Sequence, residues 1–215
     1  MAKIKQGILG GFSGKVANVV GTSWKGRAVM KSQPLSVANP KTEAQQEQRG
    51  KFSKIAELAS AILTQFVQPV ENPISGNISG YNLFCKDNKT AFNASGKLVA
   101  ANFVCGGGKI INVEEMVLGG DAGDRKFTAS WNNSAGLSAL RLTDKVYMAI
   151  FDEDGVLVAV SSGLVARSAE SADLDLIDQD KTLGMGETYY GLYAAVSADG
   201  RDVSVKTAAY VISVS

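Results

Sequence analysis

Histidine is absent from the 215-residue sequence. The side chain that most often serves as general base or metal ligand near neutral pH is therefore missing. Cysteine is nearly absent as well. Cys85 and Cys105 cannot by themselves complete a four-ligand zinc site. Their spacing leaves open both a disulfide and two reduced, half-buried thiols, the latter being the simpler reading. No apolar run reaches the roughly 20 residues that a membrane helix needs. The opening Met1–Gly7 is basic, but Ile8 to Phe12 is too short and too glycine-rich for the apolar core of a secretory signal. Synthesis in the cytoplasm without a signal peptide is the expectation. Acidic residues are missing from the first 42 positions, whereas Lys3, Lys5, Lys15, Lys25, Arg27, Lys31 and Lys41 all fall there. Residues 61–215 hold 12 basic against 18 acidic side chains, so the overall charge of +1 conceals two ends of opposite sign. The basic end is suited to nucleic acid or to the acidic body of a neighbouring copy.

What is present is ordinary for a folded chain: 45% apolar and 20% charged residues, with glycine raised to 23. The length suits one or two domains. Three segments follow from the pattern. Residues 1–41 read as an extended, basic, glycine-rich arm. Glycines at 7, 10, 11, 14, 21 and 26 interrupt every helix face. Short β-compatible runs lie between them, at Val16 to Val20 and Arg27 to Met30. Such a segment is too small for a core of its own. Yet Ile8, Leu9, Phe12, Val16, Val19, Val20, Trp24 and Val29 require burial, on the same chain or on a neighbour. Residues 42–96 read as helical. Thr42 has the character of an N-cap, with Gln45 three residues on. Phe52, Ile55, Ala59, Ile62 and Phe66 recur at spacings of three and four over a helix of about 43–67, which Pro69 is expected to end. A second helix is expected over about 80–92.

Residues 97–215 read as short strands separated by turn residues. Val146, Met148 and Ile150 alternate with Tyr147, Ala149 and Phe151, so both faces of that strand are apolar. An aromatic pair of Trp131 and Tyr193 fits the centre of an immunoglobulin- or fibronectin-like β-sandwich. The expected fold is therefore mostly β: a sandwich preceded by an arm and two helices.

No motif identifies a catalytic centre. The stretch Gly7 to Lys15 lacks the spacing of a phosphate loop, because Lys15 is followed by Val16 and four residues do not separate the glycines as required. Asp173, Asp175, Asp178 and Asp180 lack the glycine and terminal glutamate of a calcium loop. No nucleophile, base and orienting group can be picked out together. The expectation is a protein that is not an enzyme, with no catalytic residue, no cofactor and no metal.

The stretch Gly7-Ile8-Leu9-Gly10-Gly11-Phe12-Ser13-Gly14-Lys15-Val16 has distinctive spacing, as do Val19-Val20-Gly21, Trp24-Lys25-Gly26 and Pro34. With Asn39-Pro40, Thr42, Gln45, Arg49 and Phe52, it resembles an uncharacterised family of Bacteroidetes bacteria and their phages. The resemblance resumes at Phe127 to Trp131 and at Thr143-Asp144-Lys145-Val146. It implies no activity and no catalytic residues, but its occurrence in phages implies a virion role.

The leading expectation is thus a structural protein of a virion or similar repeating assembly, as capsid, tail or decoration component. Ile8, Leu9, Phe12, Val16, Val20, Trp24, Lys25, Arg27 and Lys31 would contact other copies or assembly proteins. Two alternatives stand beside it. One is a binding module whose loops Asp152–Gly155 and Asp173–Asp180 hold protein or glycan. The other is a nucleic-acid-associated protein using Lys25, Arg27 and Lys31.

Overall fold

The computed structural model describes residues 3–4, 10–24, 26–34, 36, 39–133, 137–161 and 165–214. The chain divides into two units, Met1–Thr42 and Glu43–Ser215.

The first unit is an antiparallel meander of β1 (Lys3–Ile4), β2 (Phe12–Val16), β3 (Val19–Trp24) and β4 (Arg27–Ser32), paired in chain order. The expected extended arm is therefore corrected to a small sheet. A two-residue turn at Ala17-Asn18 splits the Val16 to Val20 run, with Ala17 held at φ 48°. Gly26, at φ 79°, turns the chain again into β4. Folding back lets neighbouring segments satisfy each other's backbone N–H and C=O groups, which an arm would leave to a partner. Gly21 is required by close approach. A Cβ there would lie 2.2 Å from the Phe12 carbonyl oxygen and 2.5 Å from its ring.

The second unit opens with α1 (Glu43–Ala61), whose inner face carries Ile55, Leu58 and Ala59. Phe52 was expected in that buried stripe, but it is 60% exposed. Residues 43–50, 52 and 53 of α1 are exposed, so helical spacing alone does not bury a residue there. Pro69 does not stop the helical path. A π-helical turn at Leu63–Val67, with the Gln68 N–H donating to the Leu63 carbonyl, leads into α2 (Gln68–Glu71), and Pro69 sits at its start. Ser79 caps α3 (Gly80–Asp87), its Oγ accepting from the Asn82 N–H at 3.2 Å. This helix stops short of the expected residue 92 because buried Asn88 turns to the next strand. Its amide donates to the carbonyls of Phe84 and Val104, and its Oδ1 accepts from the Val104 N–H.

After β5 (Val104–Cys105) come β6 (Glu114–Gly119), β7 (Lys126–Asn132), β8 (Lys145–Asp152), β9 (Leu157–Val160), β10 (Ser171–Asp175), β11 (Thr188–Val196), β12 (Thr207–Ala208) and β13 (Tyr210–Ser213). β5 is preceded by a 3-10 turn at Ala100–Asn102. β5 pairs with β12. The other strands make two antiparallel sheets, β10-β7-β6 and β13-β11-β8-β9. This three-on-four arrangement is a fibronectin-like β-sandwich.

The helices form a third layer. Val146, Met148 and Ile150 of β8 enter the core between the two sheets, together with Phe127, Trp131 and Leu174. Ala149 and Phe151 point the other way, into a core shared with Ile62, Phe66 and Phe84 of the helical segment. β11 does the same: Leu192, Ala194 and Val196 face the helices while Tyr189 faces the second sheet. The central sheet is therefore covered on both faces, as its doubly apolar sequence requires. Phe103 joins the layers through edge-on contacts with Phe84 and Phe151, at 6.2 and 5.4 Å between ring centroids. Each such buried side chain contributes roughly 1.5–3 kcal/mol. Trp131 lies within the sandwich core and Tyr193 is packed partly buried against it.

Arg167 is fully buried. Arg167 donates to the carbonyl oxygens of Ile111 at 2.7 Å and Asn112 at 2.8 Å, and to Asn133 Oδ1 at 3.0 Å. Its own carbonyl accepts from the Trp131 indole N–H at 2.9 Å. The guanidinium thus ties the segment entering β6 to the end of β7. Burial pulls its pKa down, against the opposing pull of Asp144 and Glu114.

Candidate interaction surfaces

The meander's register sorts its side chains onto two faces. One cross-strand row is Val16, Val19 and Ser32, and the row two residues along is Gly14, Gly21 and Met30. Phe12 lies two residues further on β2, its ring against Gly21. Residues at even spacing share a face, so Phe12, Val16, Val19, Ala28 and Met30 form an uncharged, apolar side. Val16 is 53% exposed and Met30 is 70% exposed. The intervening rows make the opposite face. They are Lys15, Val20 and Lys31, then Thr22 and Val29, then the pairing of Trp24 with Arg27, with the paired Lys3 and Ser13 on the β1 side of the sheet.

The residues expected from sequence to form one contact surface therefore divide. Phe12 and Val16 lie on the apolar face, and Val20, Arg27 and Lys31 on the basic one. Side chains alternate along a strand, so a list drawn as one arm cannot stay together once that arm is a sheet. Ile8, Leu9 and Lys25 lie outside the described residues, and the side chain of Trp24 is likewise not described. The structure adds Met30 to the apolar face and Lys3 and Lys15 to the basic one, and separates Val19 from Val20. Only the pairing register, which depends on where the turns fall, could have supplied them.

On the second unit, two loops meet at an open groove of about 550 Å³. Its walls include Asp152, Glu153 and Asp154 from the turn after β8, and Leu176, Lys181 and Thr182 from the loop after β10. Lys97 pairs there with Asp154 at 2.9 Å and Glu153 at 3.6 Å. The Tyr189 hydroxyl donates to Glu187, and burial followed by that carboxylate holds the phenol above its usual range. The sequence-expected loops thus converge in part. Asp173 and Asp175 instead stand on β10, where Asp173 pairs with Lys126 at 2.7 Å. Among the described residues, no three His, Cys, Asp or Glu side chains converge as metal ligands.

The second unit also buries a carboxylate that sequence reasoning missed. Glu71 ends α2 and is 2% exposed. Its Oε1 accepts from the Gly106 N–H at 3.0 Å, while Oε2 has no hydrogen-bond partner among the described residues. Burial raises its pKa to about 7, and the nearby Asp87 adds to the rise. The Gly106 N–H and Lys206 oppose it. Cys105, buried beside it, donates its thiol to the Tyr193 carbonyl at 3.3 Å, and Cys85 is also buried and free. Nothing in the sequence around Glu71 marks it apart from Val70 before it and Pro73 after.

Residues 11–114 match the model of a family of unknown function, DUF6266. The matched span takes in most of the meander and the whole helical segment, and ends at the first residue of β6. No curated protein matches the chain. Among solved structures, the adhesin domain of Epf from Streptococcus pyogenes is similar over 48% of this chain and 33% of its own, with a TM-score of 0.34 and 12% identity. Among the described residues, no helix is long and apolar enough to cross a membrane.

Proposed function

We propose that the protein is a non-enzymatic structural component of a repeating assembly, namely a phage virion. The meander of one copy packs there on another copy or on another assembly protein. The observation that carries this reading is the apolar face of Phe12, Val16, Val19 and Met30, which bears no charge and leaves Val16 and Met30 largely open. An exposed apolar patch on a small sheet is a contact surface by default. These four side chains are already partly covered, so closing the rest is worth less than the roughly 1.5–3 kcal/mol of full burial each, enough for a weak contact that repetition strengthens. The groove between the sandwich loops favours a second reading, a binding module for protein or glycan. Saturable binding of an oligosaccharide that Tyr189→Ala abolishes would select it.

The test compares the full chain, a chain lacking residues 1–41, and a Val19→Glu/Met30→Glu variant by sedimentation velocity and electron microscopy. The full chain should form rings, tubes or shells. Both altered proteins should remain folded and monomeric. A full chain that stays monomeric at high concentration, or a truncated chain that still assembles, overturns the reading.

A further inference from the structure

The basic face of the meander is separate from the apolar face used above, and its chemistry points elsewhere. Lys3, Lys15, Arg27 and Lys31 are exposed and share that face. Strands about 4.8 Å apart place Lys15 and Lys31, two strands from each other, about 10 Å apart. Arg27 lies four residues from Lys31, about 13 Å along β4. No acidic residue occurs anywhere in the first 42 positions. Among the described residues, no ion pair engages any of the four. On the second unit the pattern differs: Lys97 is matched by Glu153 and Asp154, Lys126 by Asp173 and Lys206 by Asp87.

We propose that this face binds the sugar-phosphate backbone of nucleic acid without reading its sequence. Four like charges on a small sheet repel one another, and a partner with regularly repeated negative charge removes that cost. Duplex DNA presents one phosphate per about 1.7 Å of axis, so a patch about 13 Å long always faces several of them. The acidic second unit of another copy is a poorer match, because part of its negative charge, at Asp87, Glu153, Asp154 and Asp173, is already paired with lysines. Among the described side chains, the rest of the face is Ser13, Val20, Thr22 and Val29. These include no asparagine or glutamine to pair with adenine edges, and no helix to enter the major groove. Its contacts fix position and carry no sequence information. The proposal does not depend on the assembly reading, since it uses the other side of the sheet.

Binding of the full chain to a labelled duplex and to a labelled single strand, measured by fluorescence anisotropy across a salt series, tests it. Log affinity should fall linearly with log salt, at a slope near −3 to −4 for about four neutralised phosphates on the duplex. Scrambling the sequence should change affinity by less than about twofold. A Lys15→Gln/Arg27→Gln/Lys31→Gln variant should lose affinity by about tenfold or more at low salt, with its slope reduced toward −1. Val19→Glu/Met30→Glu, which tests assembly, should keep the wild-type slope under conditions where both proteins are monomeric. Absence of binding at low salt overturns the proposal, as does a triple variant that binds like wild type. Preferential binding to vesicles of phosphatidylserine and phosphatidylcholine, uncompeted by DNA, assigns the face to a membrane and also overturns it. So does salt-sensitive self-association that excess DNA leaves unchanged.

Discussion

At the residue scale, Glu71 makes stability depend on pH in the unusual direction for a carboxylate. Its pKa rises from the ordinary 4.5 to about 7 on folding, because burial disfavours the charged form. The folded state therefore binds a proton that the unfolded state has released over that interval. The contribution is fully present below pH 4.5 and is lost as pH rises from there to about 7. Asp87 and Lys206, which form an ion pair with each other, and the Cys105 thiol are the other titratable groups facing it. Glu71→Gln keeps an acceptor for the Gly106 N–H and removes the titration. Urea denaturation at pH 4.5, 6 and 8 should show wild type losing stability relative to the variant, by an amount on the order of 3 kcal/mol at most. Equal pH profiles for the two proteins would refute the assignment. Neither Glu71 nor Arg167 could have been singled out from sequence. Charged residues are almost never fully buried, and what buries these two is supplied by segments as distant as Gly106 and Ile111.

At the scale of elements, the meander depends on Gly21 in a way that can be isolated. A methyl group at that position collides with both the backbone and the ring of Phe12. Gly21→Ala should therefore separate β2 from β3 and open the first unit to limited proteolysis, while the unfolding transition of residues 43–215 stays where it was. Proteolysis at the wild-type rate would mean the close approach is relieved by a small shift. The same segment shows why an arm was expected from sequence. Its turn at Ala17-Asn18 lies inside a β-branched run and lacks the Asn-Gly or Gly-first chemistry that announces a hairpin. Alanine at φ 48° is an uncommon choice that pairing on both sides enforces. β8 was legible for the opposite reason. Alternating residues on both sides of Lys145–Asp152 are apolar, and they face two cores. The helical stripe was legible only from Ile55 onward, because Phe52 follows the same spacing on a part of α1 where it stays exposed.

At the scale of the molecule, residues 43–215 hold two cores in contact with the same pair of strands, β8 and β11. A helical layer that merely leaned on a finished sandwich would melt by itself. Here the loss of either core strips one face from the shared strands. Phe66→Ala on the helical side and Phe127→Ala between the sheets should each lower one common thermal transition, each costing roughly 3–5 kcal/mol. Two separated transitions in either variant would show that the layers are independent. The interaction surfaces were less legible than this framework. Which charges share a face of the meander, and which loops meet at the groove, follow from pairing and packing that no local pattern encodes.

The shared strands also set an order of events in time. Ile62, Phe66 and Phe84 leave the ribosome long before β11, which ends at Val196. At about 5–20 residues per second, the intervening chain takes roughly 6–20 s to appear. During that interval the helical segment has no sheet to cover it. The apolar inner face of the helical segment is thus covered last, when the sandwich that synthesis completes at the end supplies its sheet.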